Sequence, residues 1–195
     1  MLVLLILVSL IEPLNPASAE IALKDIPEGL LLTDGRHRGL YLLNHCDNIE
    51  ILSDEPGAGR NVILIEGNVL FKECPSGMPQ RVIIIVPDQT VSTLFESEYF
   101  SGPFSTASST FMIAHDGLLT EYDLRGRKIE SWYIGEFPAW AATADDRICF
   151  TGETGGLRML AMETGEVLGI RIPGAEEATY SRISSGQSDL FLAEK

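Results

Sequence analysis

Arg36, His37 and Arg38 place two guanidinium groups and an imidazole side by side in a chain that carries 28 acidic and only 14 basic side chains. Such a cluster suits a carboxylate or another anionic group, because arginine offers a planar fork of donors and histidine changes charge near neutral pH. His115, followed by Asp116, is the other histidine in a comparable turn. Both sites are expected in the loop after the second strand of a repeated unit. For each, the alternative is a solvated turn. A metal centre would need three converging ligands, and His37, His45 and His115 show no such spacing, so neither a metal nor a cofactor is implied. Asp54, Glu55, Asp145 and Asp146 lack the spacing of a calcium loop. The sequence has no Gly-x-Ser-x-Gly elbow and no Gly-rich loop opening a helix, and no catalytic residue is assigned.

These residues can act only where strands position them. Between residues 110 and 173 one strand motif is stated twice. In the first copy Phe111-Met-Ile-Ala-His115, Leu118-Leu-Thr-Glu-Tyr-Asp-Leu124 and Lys128-Ile-Glu-Ser-Trp-Tyr-Ile134 are divided by Asp116-Gly117 and Arg125-Gly126. In the second, Ile148-Cys-Phe-Thr151, Leu157-Arg-Met-Leu-Ala-Met162 and Glu166-Val-Leu-Gly-Ile-Arg-Ile172 are divided by Gly-containing turns. Gly126 and Gly165 occupy equivalent turns thirty-nine residues apart. A period near 40 residues in strands alone predicts the four-stranded blade of a β-propeller.

The same frame extends to the rest of the chain. Units are expected at about 20–57, 58–98, 102–135 and 137–174, with a partial unit at 176–195. Their second strands begin near residues 30, 69, 111, 147 and 189. Residues 21–26 are the candidate first strand of the first unit. Residues 62–65 and 82–86 are continuous apolar runs, as strands buried on both faces require. A helical reading fails for want of three-and-four spacing, and a β-sandwich would need no period. The fold class is therefore all-β, a propeller of about four to five four-stranded antiparallel blades, as a small closed ring or as an incomplete one. An open ring would expose apolar blade faces and favour self-association.

Residues 2–11 are apolar apart from Ser9, and Ala17-Ser18-Ala19 supplies the small residues a signal peptidase requires. Residues 1–19 are read as an export signal and 20–195 as the propeller domain. The alternatives are a buried first strand and a membrane anchor, but a spanning helix needs roughly 20 apolar residues. Losing Glu12 with the leader changes the net charge from −14 to −13. That balance repels phosphate backbones and anionic surfaces, which disfavours nucleic acid. No membrane insertion is expected after cleavage. Of the three cysteines, Cys46 and Cys74 end neighbouring predicted strands and are the one pair considered for a disulfide.

Tyr99, Phe100, Phe104, Phe137 and Trp140 fall at the connectors before the third and fourth units. Such aromatics either plug the space between blades or anchor a peptide or sugar. Phe137 and Trp140 join Arg36, His37, Arg38 and His115 as candidate ligand-binding residues.

The connector Ser53-Asp-Glu-Pro-Gly-Ala-Gly-Arg-Asn61 resembles that of TolB-type propellers, whose repeat also occurs in the propeller domains of prolyl-oligopeptidase-like peptidases. The family's Ser-Pro-Asp-Gly corner stands here as Ile65-Glu-Gly-Asn68, Ala144-Asp-Asp-Arg147 and Ser184-Ser-Gly-Gln187, the mark of a divergent relative. The resemblance lies in the repeat pattern alone and implies a periplasmic or secreted binding and scaffolding module. The leading expectation is a non-enzymatic propeller whose loop face meets a protein or a carbohydrate. The alternatives are a propeller-type lyase or hydrolase acting on an acidic polysaccharide or peptide, and a truncated propeller without a function of its own. Amino-terminal sequencing of the exported protein is expected to begin at Glu20, and a mature protein beginning at Met1 would refute the leader.

Overall fold

The computed structural model describes residues 6–8, 29–34, 39–44, 49–58, 61–87, 90–106, 109–144, 146–152, 156–171, 180–185 and 190–194. Among these every regular element is a strand. The chain divides into two compact units, Met1–Glu98 and Tyr99–Lys195.

The first unit holds two four-stranded sheets. One is β1 (Ile6–Val8), β2 (Gly29–Asp34), β3 (Leu40–Asn44) and β4 (Ile49–Ser53); the other is β5 (Ile63–Ile65), β6 (Asn68–Glu73), β7 (Gln80–Ile85) and β8 (Val91–Ser97). In the second unit β9 (Ser101–Ser105), β10 (Thr110–His115), β11 (Leu118–Asp123) and β12 (Lys128–Tyr133) form one sheet. A further sheet contains β13 (Ala141–Ala144), β14 (Arg147–Thr151), β15 (Leu157–Ala161) and β16 (Val167–Gly169), and β17 (Tyr180–Ser185) pairs with β18 (Leu190–Glu194). In every sheet the strands are ordered in space as in sequence, and in the sheets β5–β8, β9–β12 and β13–β16 neighbours run antiparallel, the up-and-down blade that the period predicts.

One strand departs from expectation. The neighbour of β2 is β1, which runs parallel to it with Ile6 opposite Leu32 and Val8 opposite Asp34. Residues 21–26, expected to fill that place, lie outside the described residues. In the full-length chain, part of the predicted leader thus serves as a strand, since a short run of Ile, Leu and Val has the branched shape that fits a sheet edge.

Burial within a blade follows strand position. Val82, Ile83, Ile84 and Ile85 of β7 and Phe111, Met112, Ile113 and Ala114 of β10 are buried without a break, so both faces of these strands are covered. The first and last strands are less enclosed. Leu64 in β5 is 36% exposed, so residues 62–65 are not the doubly buried strand expected of them. A first strand has a sheet neighbour on one side only.

The core of the second unit lies between its two four-stranded sheets. Phe104, Met112, Ala114, Leu119 and Trp132 from one pack with Ala141, Ile148, Phe150 and Leu160 from the other. Trp132 also donates from Nε1 to the carbonyl of Met162 at 3.0 Å, which satisfies the indole while the ring fills the interface. In the first unit Leu40 and Leu42 pack with Val69, Phe71, Ile83 and Ile85. A polar link crosses the same pair of sheets: Ser53 Oγ donates to Glu73 Oε1 at 2.6 Å and Arg81 Nε to Glu73 Oε2 at 2.7 Å. Glu73 is buried, and these two donors offset the loss of water around its carboxylate.

Turn chemistry sets the register. Asp116 and Gly117 have φ of 52° and 74°, the left-handed pair of a two-residue hairpin, which aligns His115 with Leu118. At the opposite end of the blade, Asp123 Oδ1 accepts from the backbone N–H of Arg125 and of Arg127, each at 2.9 Å. Its Oδ2 meets the Arg127 guanidinium at 2.6 Å.

Two outcomes are expected. Gly117→Ala should lose about 1–2 kcal/mol in urea unfolding, the cost of a left-handed conformation for a residue with a side chain. The Arg127 backbone N–H, aided by the Arg127 guanidinium and the Arg125 N–H, holds the Asp123 carboxyl below its usual range against the opposing effect of burial. A depressed folded-state value contributes stability above the unfolded pKa, about 3.9, and loses it as pH falls through the folded value. The deficit of Asp123→Asn against wild type, measured by denaturant at a series of pH values, should therefore be full at neutral pH and shrink below about pH 4.

Candidate functional site

In the sheets β9–β12 and β13–β16 the strands alternate in direction, so the connectors and the hairpins between second and third strands share one end of the blade. In the second unit that end gathers residues that are far apart in sequence. β9 enters there after Tyr99 and Phe100, β10 leaves at His115, and β12 leaves at Tyr133. The backbone N–H groups of Ile134 and Gly135 both donate to the carbonyl of Gly117, at 2.8 and 2.9 Å, and fasten the hairpin to the connector. The connector then runs to β13 past Glu136, Phe137 and Trp140.

The aromatic residues divide in their roles. Phe100 and Phe104 are 1% and 2% exposed and are plugs. Tyr99 is 58% exposed and meets the half-buried Phe137 edge-on, with ring centroids 5.0 Å apart. Trp140 is half-buried against Ala142, Cys149, Leu157, Met159 and Ile170. Its backbone is fixed to Thr151, whose N–H donates to the Trp140 carbonyl at 3.0 Å and whose Oγ1 accepts from the Trp140 N–H at 3.2 Å.

A charged group lies in the same region. Glu136 Oε1 pairs with Arg158 Nε at 2.7 Å. The carboxylate rests over Gly152, where a Cβ would stand only 2.7 Å from Glu136 Oε2, so the missing side chain makes room for it. Beside Arg158 an open groove of about 240 Å³ is lined by Gly156, Leu157, Arg158, Gly169, Ile170 and Arg171. His115 Nδ1 stands 3.4 Å from Asp116 Oδ2, and the pair is solvent-facing enough to be weakly held.

Arg36, His37, Arg38 and Cys46 lie outside the described residues. In sequence the Arg36 to Arg38 segment falls between β2 and β3, as Asp116-Gly117 falls between β10 and β11. Cys74 carries a free thiol among the described residues. Cys149 is buried, and burial raises its thiol pKa against a smaller lowering by Arg147, so it remains protonated and a poor nucleophile. Among the described residues no three His, Cys, Asp or Glu side chains gather as metal ligands would.

Glu136, Arg158 and Arg171 were not singled out from sequence. Arg158 faces Gly169 across the β15–β16 pair. That register depends on the turn around Gly165, and a turn length alone does not say which side chains will share a face.

No protein-family model and no curated protein matches the chain. Solved structures do. Streptogramin B lyase is similar over 88% of this chain at 14% identity, with a TM-score of 0.61. The structure of the nidogen/laminin complex is similar over 84% at 9% identity, with a TM-score of 0.63. Puromycin hydrolase is similar over 81% at 14% identity, with a TM-score of 0.58. The chain spans 60%, 66% and 29% of those chains respectively. At these identities the likeness is one of fold, and with the sheet order described above it makes the chain a β-propeller of four-stranded antiparallel blades.

Proposed function

We propose that the chain is an exported, non-enzymatic propeller of divergent TolB type that binds a protein or carbohydrate partner on the connector end of its blades. The observation that carries this reading is the solvent-exposed Tyr99 braced edge-on by Phe137, on a connector whose Glu136 reaches Arg158 in the lining of the groove. Tyrosine and arginine supply much of the energy at binding surfaces, because each combines contact area with a directional polar group. The expected export signal at residues 1–19 and the net charge of −13 left without it fit a protein that works outside the cytoplasm. Arg36, His37 and Arg38, in the loop equivalent to the His115 hairpin, extend the reading to an anionic group on the partner.

A second reading is a lyase or hydrolase, in which Asp116 would orient the His115 imidazole as a general base. It draws on the 3.4 Å contact between these side chains.

The purified chain, screened against immobilised oligosaccharides and peptides, is expected to retain ligands without altering them. Tyr99→Ala with Phe137→Ala should weaken that binding by about tenfold or more. Turnover of any ligand that disappears on His115→Ala would replace the binding reading with the enzymatic one.

A further inference from the structure

We infer that Tyr133 is a stacking platform for an arginine in a basic segment of a partner protein, with the Asp116 carboxylate receiving the guanidinium. The inference rests on the binding-module reading and names the class of partner.

The exposure of the ring supplies the first argument. Tyr133 is 73% exposed, the most open of the large hydrophobic side chains among the described residues. It ends β12 opposite Leu118, which is also exposed, and it lies at the same end of the blade as exposed Tyr99. Single apolar residues on a surface are ordinary, but three gathered at one end of a blade form a patch of the kind that marks a binding surface.

The backbone around the ring is fixed and bare. Directly after Tyr133, the N–H groups of Ile134 and Gly135 are both held by the Gly117 carbonyl. A Cβ at Gly117 would stand 3.4 Å from Tyr133 Cε2, and one at Gly135 would stand 3.6 Å from Cε1, Cζ and Oη. The two positions beside the ring thus lack the side chains that would screen it. A ring carried on an ordered strand end loses little freedom when a flat group stacks on it.

The charge at this end selects the occupant. Residues 99–102, 115–118 and 133–140, which make the connector end of the β9–β12 blade, contain Asp116 and Glu136 and neither lysine nor arginine. Glu136 is taken by Arg158 at 2.7 Å. The Asp116 side chain, next to Gly117, is 78% exposed and meets His115 only at 3.4 Å, so it can accept from a cation. The face of a tyrosine ring is the negative side of its quadrupole and attracts cations. Arginine answers ring and carboxylate together, because its planar guanidinium stacks while its fork of donors fits a carboxylate; the ammonium of lysine matches neither shape. Over longer range the net charge of −14 draws a basic partner and repels an acidic one, a second copy of this chain included.

Calorimetric titration of the full chain with end-capped peptides of alternating Arg and Ser, Lys and Ser, and Glu and Ser tests this. The Arg peptide should bind most tightly, the Lys peptide several-fold more weakly and the Glu peptide not at all, with affinity falling as salt rises. Tyr133→Leu, which keeps the bulk and removes the ring face, should weaken Arg-peptide binding by about tenfold, whereas Tyr133→Phe should retain it. Asp116→Asn should weaken it several-fold. If Tyr133→Leu fails to fold by circular dichroism, Asp116→Asn decides alone. Failure of the Arg peptide to bind, binding no tighter than that of either counterpart, or unchanged affinity in a folded Tyr133→Leu or Asp116→Asn variant would overturn the proposal, as would a dimer in light scattering that Tyr133→Leu dissociates. The binding-module reading stands apart from these results, because its ligand is lost on Tyr99→Ala with Phe137→Ala whether or not a basic segment is recognised.

Discussion

A four-stranded sheet has two faces, and a blade whose middle strands are apolar on both can leave neither in water. The burial of one blade against the next is the constraint on which the rest of the structure depends. Phe111 to Ala114 in β10 and Val82 to Ile85 in β7 are covered on both sides. The ladder hydrogen bonds of a strand run within its sheet, so adjacent blades cohere mainly through side chains such as Met112, Leu119 and Phe150. The few polar links across a blade interface are made by groups that could not otherwise be buried. The Trp132 indole reaches the Met162 carbonyl, and the Glu73 carboxylate takes both Ser53 and Arg81.

That constraint dictates where function can sit. Residues in the middle strands are committed to packing, and the chain must return from the last strand of one blade to the first strand of the next. The return path brings Glu136, Phe137 and Trp140 to the end of the blade that already carries the His115 hairpin. These side chains are held by neighbours without being enclosed. Thr151 fixes the backbone at Trp140, and Gly117 accepts from the two N–H groups at the start of the connector. A surface built this way is pre-ordered, so little conformational entropy would be lost if the proposed partner bound there.

The repeat was legible because strands leave short apolar runs and their turns leave glycine. Asp116-Gly117 and Gly165 fall where the hairpins are, with the left-handed φ values that such turns require. The division of the aromatic residues was not legible. Phe100 and Tyr99 are adjacent, yet one is buried and the other exposed, since alternate positions entering a strand face opposite sides. The role of residues 6–8 was read differently from sequence, where their apolar run suggests a leader; the three-dimensional arrangement uses them as a strand as well, because a strand asks only for apolar branched residues and an available edge.

By itself the sequence determined the strand content, the blade period and the net negative charge. These follow from local rules: short apolar runs, turn residues and summed charge. Only the tertiary structure decided that Glu136 reaches Arg158, that Arg158, Gly169 and Arg171 line one groove, and that Tyr99 is braced by Phe137. Each of these depends on strand register or on the packing of one blade against another, and both are fixed by the burial of whole faces, a property no short stretch of sequence contains.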